Sequence, residues 1–462
     1  MYLKGDSLIP WSKFMALLLT LSNCENMYYK HSYLSLKNNN IQDQYIQVSN
    51  DMRSLLKLIS SPTTTTTTTG GVQQPNQQNQ QNQTASQIAL GYYASSKKSS
   101  VDDDPEISFF SSLVQQTCTI VQVRIDMIGV YTTLVMSISQ ETNFDQLVNS
   151  LETIPTIYRD KITHPLLMGI KTNTNYEIQI LKNLLKVYVS MNRHIFKDSI
   201  LLLYQSRLDL DLWRDFDQLN QSRGTYSSDP KWTSNSIHQW LSIFFNALMS
   251  KSSLYFHFPL RTVEEENGGT YQSFKDATLR NNPDYVLMIE AFYQKSNSIF
   301  FGIFFECKGK PYSKMGYCFN NTEAPTGLGA YPPIFYLPQD KPPNQHLPNI
   351  ISIYLTNQHA LERPHDLFYY VDSQKVETNL KTSSPIAGGG GSGSGTGGGP
   401  THETSDYTYF LVRVEAQIFI SVVYKDIKKQ KDPIVNDFLK VLVHNLRNTD
   451  LFNILRQKES NR

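Results

Sequence analysis

Glycines, carboxylates and histidines are the residues in this chain whose types could do chemistry, and none stands in a pattern that such chemistry requires. Gly388, Gly390 and Gly393 match a loose GxGxxG motif, whose backbone amides would cradle a phosphate if a strand preceded and a helix followed. Here they lie in a tract of almost pure Gly, Ser and Thr, which is typical of a flexible linker. The sequence also lacks Walker A, HExxH, EF-hand and GxSxG patterns.

Paired carboxylates and histidines would be the groups for general acid–base catalysis. The acidic clusters Asp102–Asp104 and Glu264–Glu266 would need burial to separate their pKa values, yet both adjoin low-complexity or Gly-rich sequence, which favours solvated charge. His164, His257 and His346 have no nucleophile or acidic partner in their local sequence. We therefore predict no catalytic, cofactor-binding or metal site, and a protein that is not an enzyme.

Charge and cysteine content favour protein partners. The chain of 462 residues has 42 basic and 41 acidic side chains, and a formal charge of +1 creates no field that would attract nucleic acid or an anionic membrane. Its four cysteines form neither CxxC pairs nor a zinc-ligand pattern, which indicates reduced thiols in an intracellular protein. No segment approaches the roughly 20 apolar residues of a membrane span. Membrane association is expected only through a partner.

Two charged residues interrupt strongly apolar helical sequences. Arg124 and Glu177 each lie among residues with a helical apolar period. An unpaired buried charge costs several kcal/mol, so we expect the two side chains to form a structural ion pair inside the helical region.

The first part of the chain has the pattern of a helical bundle, predicted over residues 8–260. A Thr-, Gln- and Asn-rich insert at 62–100 is expected to be a disordered loop. Asn143 is a good N-cap, Pro155 should end the helix that follows it, and His164-Pro165 should open the next. The predicted helices are Trp11 to about Lys37, Ile41 to Ile59, Ile107 to Ser139, 144–155, the helix after His164, Phe196 to Leu219, and Ile237 to about Phe256.

The periodicity changes after an exposed acidic linker at 261–280, and a second domain is predicted over 281–456. It contains a Gly- and Ser-rich insert at 383–405, again expected to be disordered. Its helices begin at Pro283 and Asp432-Pro433. Strands are predicted at Ile299–Glu306, Ile334–Leu337, Ile350–Leu355, Leu367–Val371, Tyr409–Val414 and Ile418–Tyr424, the last two forming a hairpin. The fold class is α+β, an all-α bundle followed by an α/β domain whose antiparallel-rich sheet is flanked by helices.

A segment rich in proline and aromatic residues runs from Gly316 to Asn349. Prolines at this density fix φ and remove backbone donors, so the segment is neither a long helix nor a central strand. Its Tyr, Phe and Leu side chains provide apolar surface, which predicts an ordered, packed loop between strands.

Many short pieces, spread over almost the whole chain outside the two inserts, share an order and spacing with one known family. They include Trp11, Tyr28 to Tyr33, Gln122-Val123-Arg124, His164-Pro165, Glu177 with Leu181, Leu184 and Leu185, Leu254 to His257, Asn282 to Tyr285, Gly316-Tyr317, Glu323-Ala324-Pro325, Tyr331-Pro332, Leu337-Pro338, Asp340-Lys341-Pro342, Pro348-Asn349-Ile350, and Tyr409-Phe410-Leu411. Together these residues resemble the family of the second subunit of the KICSTOR complex.

The resemblance implies a non-enzymatic scaffold subunit. Its partners would be the other KICSTOR subunits, including the large scaffold, and the GATOR complex that activates GTP hydrolysis by Rag GTPases. The complex would hold GATOR at the lysosomal membrane, where this chain is peripheral, and would turn off the TOR kinase complex during amino-acid or glucose starvation. The alternative is a small-GTPase-binding adaptor that acts through the α/β domain independently of KICSTOR.

Exposed aromatic residues with low conformational entropy favour interface cores. On that ground the candidate partner interface is Asn282, Pro283, Asp284, Tyr285, Tyr317, Glu323, Pro325, Tyr331 and Pro332. The same tyrosines and prolines could instead cover one face of the sheet, and both readings stay open at this point. Strand count also leaves open whether the strand order is of a roadblock or a longin type.

Overall fold

The computed structural model describes residues 8–30, 34, 40–60, 105–136, 143–223, 236–267, 283–313, 323–340, 343–361, 367–376 and 403–455. The predicted loop at 62–100 and most of the second, 383–402, lie outside these ranges. Residues 403–405 belong to a strand instead of the second loop, because they pair with residues 374–376 of a neighbouring strand.

The chain divides into two compact units. The first comprises residues 1–28, 40–128 and 156–172, and the second comprises residues 29–39, 129–155 and 173–462. Residues 173–260 therefore share a unit with the C-terminal sheet, whereas the sequence favoured a boundary at 261–280. Residues 268–280 lie outside the described part of the chain, and a linker there stays a prediction.

Helices form the described chain up to residue 267. They are α1 (Leu8–Tyr29), α2 (Ile41–Ser60), α3 (Pro105–Met136), α4 (Phe144–Tyr158), α5 (Met168–Asn192) after a 3₁₀ turn at Pro165–Leu167, α6 (Phe196–Arg223), α7 (Ser236–Tyr255) and α8 (His257–Asn267). Two predicted starts are confirmed by their caps. The Asn143 Oδ1 atom accepts from the Asp145 amide at 3.1 Å, and the His164 Nδ1 atom accepts from the Leu166 amide at 3.3 Å.

Two predicted helix limits were wrong. Pro155 does not end α4, which continues to Tyr158. A proline inside a helix removes one backbone hydrogen bond and usually bends or breaks the helix, but α4 continues for three residues beyond it. Glu264–Glu266 do not begin a linker, since they lie in α8, and glutamate is a good helix former.

Helix α3 departs from the expectation that no segment could span a membrane. Among the described residues it is the one helix whose length and composition meet that test, with a window of mean hydropathy 1.3. Of that window, 56% is buried, and the fully buried Arg124 lies within the helix. Length and composition alone are weak evidence for a span, because the core helix of a folded unit has the same properties.

A five-stranded antiparallel sheet completes the fold and confirms the α+β class. Its strands are β1 (Phe300–Phe305), β2 (Pro333–Leu337), β3 (Phe368–Val376), β4 (Glu403–Glu415) and β5 (Ile418–Tyr424), in the order β2-β1-β5-β4-β3. The predicted β4–β5 hairpin is confirmed. The proline-rich segment contributes β2, an edge strand whose first residue is Pro333, which is a position where the missing amide is tolerated.

The helices that the structure describes after residue 283 are α9 (Tyr285–Ser296), α10 (Leu347–Thr356), a short turn of helix α11 (Gln358–Leu361), α12 (Pro433–Arg447) and α13 (Thr449–Ile454). The prediction of a strand at Ile350–Leu355 was wrong, because these residues lie in α10. Pro348 occupies the first turn of that helix, and Ile350, Ile353 and Tyr354 form its buried side. A short apolar run does not distinguish a buried strand from a buried helix.

Helix α10 covers one face of the sheet. The Phe419 ring of β5 stacks on the Tyr354 ring of α10 with centroids 4.0 Å apart, and on the Phe304 ring of β1 at 5.1 Å. Gly302 lies on the same face, where an added Cβ would come within 2.6 Å of the Phe300 ring. The glycine therefore makes room for the rings on either side of it.

Helices α9 and α12 pack against the opposite face. The Phe301 ring of β1 lies 6.3 Å from the Phe292 ring of α9 and 6.5 Å from the Phe438 ring of α12. The aromatic residues of β1 thus point alternately into two cores.

Helix α13 is fixed to helix α7, far away in sequence. The Trp240 Nε1 atom donates a hydrogen bond to the Leu451 carbonyl oxygen at 3.1 Å. The next residue, Phe452, packs its ring 5.7 Å from Phe244 of α7. The second unit therefore includes a contact across more than 200 residues.

Candidate partner interface

The structure separates the predicted interface residues by exposure. Asn282 and Tyr317 lie outside the described residues. Pro283 and Glu323 are exposed, and Asp284, Pro325 and Pro332 are half-buried. Tyr285 and Tyr331 are only 4% and 6% exposed. The premise that these two aromatic side chains are exposed was therefore wrong.

Tyr331 is buried because its segment is attached to the end of β1. The Cys307 amide donates to the Ala330 carbonyl oxygen at 2.9 Å, and the Phe305 amide donates to the Pro332 carbonyl oxygen at 3.0 Å. The Tyr331 ring then meets the Tyr354 ring edge-on, with centroids 6.0 Å apart. Tyr331 covers the face of the sheet that α10 covers, which is the packing alternative left open by the sequence.

Asp284 and Tyr285 begin helix α9. The Asp284 Oδ1 atom accepts from the Val286 amide at 2.9 Å and from the Leu287 amide at 3.4 Å, so the carboxylate is an N-cap. Tyr285 is buried, and desolvation raises the pKa of its hydroxyl to about 12. The predicted residues around position 284 thus start a helix whose next turn carries exposed apolar side chains.

A groove lined mostly by apolar side chains lies between α9 and α12. Its floor is a pair of parallel rings, Phe292 and Phe438, whose centroids are 3.9 Å apart with an interplanar angle of 2°. The groove has a volume of about 480 Å³. Its lining is mostly apolar, with one charge of each sign, and consists of Met288, Ala291, Phe292, Lys295, Pro433, Ile434, Asp437 and Phe438.

Exposed aliphatic side chains extend this surface along both helices. Leu287 of α9 is 62% exposed, and Ile434 and Val441 of α12 are 51% and 52% exposed. This surface is not among the predicted interface residues, although Ile434, Phe438 and Val441 have helical spacing. A second apolar stripe on the helix predicted after Asp432-Pro433 could have indicated this surface from the sequence.

A buried polar cluster lies near the β4–β5 turn. Lys251 of α7 is 2% exposed and forms an ion pair with Glu415, and its Nζ atom lies 5.1 Å from the centroid of the Tyr255 ring. Burial raises the pKa of the Tyr255 hydroxyl well above its usual value, and the Glu415 carboxylate adds to this shift. None of the three lines the α9–α12 groove. The cluster therefore joins α7 to the sheet.

His194 is the second perturbed group near this cluster. It is 4% exposed, and its ring centroid lies 4.2 Å from that of Phe305. Burial, together with the positive charges of Lys251 and Lys310, lowers the pKa of His194 to about 3. The folded protein thus holds a neutral imidazole at pH values where the unfolded chain, with an ordinary pKa near 6.5, is protonated.

We expect acidification from pH 7 to pH 5 to lower the free energy of unfolding by roughly 2 kcal/mol through His194, since the unfolded state binds the extra proton in this range. His194→Asn should lose this part of the pH dependence, because asparagine does not titrate. Asparagine also tolerates the left-handed φ of 57° at this position. Urea unfolding of both proteins at the two pH values measures the difference. Equal losses on acidification in both proteins would contradict the assignment.

Arg124 and Glu177 belong to different compact units, and their predicted ion pair stays a prediction. Within the first unit, the Arg124 Nε atom lies 3.0 Å from Glu25 Oε1, and its guanidinium lies 4.4 Å from the centroid of the Tyr28 ring. Within the second unit, the Tyr131 hydroxyl donates to Glu177 Oε1 at 3.0 Å. Each charged group thus has a polar partner in its own unit.

No group of three or more His, Cys, Asp or Glu side chains in the described ranges is arranged to hold a metal ion. The three histidines considered above as general bases make structural contacts. His164 caps a helix, His257 lies 5.1 Å from the Phe335 ring centroid, and His346 lies within hydrogen-bond distance of the Tyr409 hydroxyl at 3.3 Å.

Comparison with known proteins identifies the family. The model of the family described as KICSTOR complex C12orf66 like matches residues 93–384, well over half of the chain. KICSTOR subunit 2 of Xenopus laevis is 25% identical over 354 residues, covering 75% of this chain and 72% of the relative. KICSTOR subunit 2 of Danio rerio is 25% identical over 353 residues, covering 74% and 71%. The chain belongs to the KICSTOR complex C12orf66-like family.

Proposed function

We propose that this chain is a non-enzymatic scaffold subunit that assembles with other KICSTOR subunits, including the large scaffold. The assembly tethers the GATOR complex to the lysosomal surface, where GATOR stimulates GTP hydrolysis by Rag GTPases. The family match over residues 93–384 carries this proposal. Tyr255 and His194, whose pKa values are shifted, are both buried, which supports a structural role for them.

The proposed mechanism is an increase in effective concentration. Holding a GTPase-activating complex beside its membrane-bound target raises the encounter rate without changing the chemistry of hydrolysis. Loss of the tether would leave the TOR kinase complex active during amino-acid or glucose starvation. The chain itself is peripheral to the membrane and reaches it through its partners.

The α9–α12 groove is the proposed contact with a KICSTOR partner. It combines an aromatic floor, exposed aliphatic rims and one charge of each sign, which is the composition of a site for an apolar helix of another protein. Pro283 and Asp284 immediately precede α9 in the chain, and they remain in the proposed interface. Tyr285 and Tyr331 are assigned to packing.

The test is affinity purification of the tagged chain from fed and amino-acid-starved cells, followed by mass spectrometry. Recovery of the large KICSTOR scaffold and of GATOR subunits is the expected result. Their absence, together with binding of a purified small GTPase that depends on its nucleotide state, would overturn the scaffold proposal in favour of an independent adaptor.

Substitution of the groove should uncouple binding from folding. We expect Leu287→Asp combined with Ile434→Asp to reduce recovery of the KICSTOR partner roughly tenfold or more, because buried apolar anchors dominate interface energies. Both side chains are exposed in this chain, so the melting temperature should change little. Leu355→Asp, at a residue of α10 that is 45% exposed, is the matched control. Equal loss of binding in the control would remove the groove from the proposal.

A further inference from the structure

Helix α6 carries a narrow row of exposed apolar side chains. Leu201, Leu208 and Leu212 are 69%, 42% and 53% exposed, and Tyr204 and Leu219 are 52% and 63% exposed. At 100° per residue, these five positions lie within about 80° of the helix circumference. We call this row the α6 stripe.

The other side of α6 is used by its own unit. Leu203, Leu210 and Trp213 are at most 4% exposed and point away from the α6 stripe. Phe216, at the edge of the stripe, is half-buried, with its ring centroid 6.4 Å from that of Tyr176. The helix therefore has two apolar sides, one buried within its unit and one exposed.

The apolar positions on this side of α6 are symmetric along the helix when the half-buried Phe216 is counted with the α6 stripe. They are then 201, 204, 208, 212, 216 and 219, with intervals of three, four, four, four and three residues. A two-fold axis perpendicular to α6 at the level of residue 210 would place Leu201 opposite Leu219 of a second copy. The same axis would place Leu208 opposite Leu212. This symmetry lets the apolar positions of two antiparallel copies of the helix face one another.

The charged residues on one flank of the stripe pair with one another. Arg207 lies 2.9 Å from Asp211, and Arg214 lies 3.1 Å from Asp211 and 3.5 Å from Asp215. Two arginines and two aspartates give this flank no net charge, so this flank adds no like-charge repulsion between two copies. The stripe is about 27 Å long at 1.5 Å per residue, which is long enough for several interlocking layers of side chains.

We propose that two copies of this chain associate through antiparallel pairing of their α6 stripes. The proposal does not depend on KICSTOR membership. Both partners are copies of this chain, and the surface that pairs them belongs to it. The groove between α9 and α12 stays available in such a dimer for a different partner.

The first test is light scattering of the purified full chain over a range of concentrations. The mass of two chains is expected for the wild type, and the mass of one chain for Leu208→Glu combined with Leu212→Glu. Leu19→Glu combined with Leu58→Glu, at leucines that are 67% and 55% exposed on α1 and α2, should remain dimeric. A monomeric wild type, or a dimer that survives the stripe substitutions, would overturn the proposal.

Cysteine cross-linking tests the direction of the pairing. Leu201→Cys and Leu219→Cys proteins, mixed and briefly oxidised, should form a disulfide between the two chains, whereas Leu201→Cys alone should not. Wild-type protein controls for the native cysteines. Cross-linking of Leu201→Cys with itself would mean parallel pairing and would contradict the two-fold axis. Stripe substitutions that abolish binding of another protein to a monomeric chain would assign the stripe to that protein instead.

Discussion

Replacing Glu415 with alanine is expected to lower the free energy of unfolding by about 3–5 kcal/mol, because the substitution leaves a buried lysine charge without its partner. Lys251 is 2% exposed, and its ion pair with Glu415 connects α7 to the end of β4. The Tyr255 ring beneath Lys251 is a weak substitute for a carboxylate. Urea unfolding at neutral pH measures the effect.

Two further variants separate the ion pair from the packing around it. Lys251→Met combined with Glu415→Leu removes both charges, and it should recover most of the stability that Glu415→Ala loses. Asp145→Asn breaks the ion pair with Arg193, whose side chains are 53% and 58% exposed, and should cost less than about 1 kcal/mol. A similar small loss for Glu415→Ala would show that Lys251 reaches water in solution.

Phe419→Ala is expected to lower the free energy of unfolding by about 3–5 kcal/mol, the usual range for removing a buried phenylalanine. Phe419 is fully buried, and its ring stacks between those of Tyr354 and Phe304. The cavity would open at the centre of the face covered by α10. The measurement is again chemical denaturation.

The volume of the ring, rather than any change in the strand, should cause this loss. Phe419→Leu keeps most of the apolar volume and is expected to cost less than about 2 kcal/mol. Tyr370→Ala removes an aromatic ring that is 41% exposed on β3 of the same sheet, so its effect should be under about 1 kcal/mol. If Phe419→Ala were as mild as Tyr370→Ala, α10 would not be held by this stack.

Local signals predicted the helix starts well. Asn143, His164 and Asp432 all cap helices in the structure, because a cap depends only on residues within one turn. The run of buried aromatic residues at β1 and the hairpin of β4 and β5 were also predictable from β propensity and a short connection. The helix at Ile350–Leu355 was not predictable in this way. This short apolar run is helical because of its packing against the sheet, which lies far from it in sequence.

The candidate interface was harder to predict, because exposure is a tertiary property. Tyr331 and Tyr285 have the residue type that interfaces favour, yet contacts distant in sequence bury both. The α9–α12 groove forms between helices more than 130 residues apart, and its aromatic floor needs both of them. Sequence spacing could have indicated the apolar row of Ile434, Phe438 and Val441 on α12. It could not have indicated that α9 lies beside this row.

The contact between Trp240 and Leu451 has a consequence for how the protein is made. Helix α7 leaves the ribosome before α13 has been synthesised. The Trp240 Nε1 atom therefore cannot donate to the Leu451 carbonyl oxygen while the sheet is translated. During that interval Phe244 and the rest of the α7 surface under Phe452 are exposed to other nascent chains. Exposed apolar surface of this kind favours aggregation, so we expect a chain that ends before α13 to aggregate more readily than the full chain.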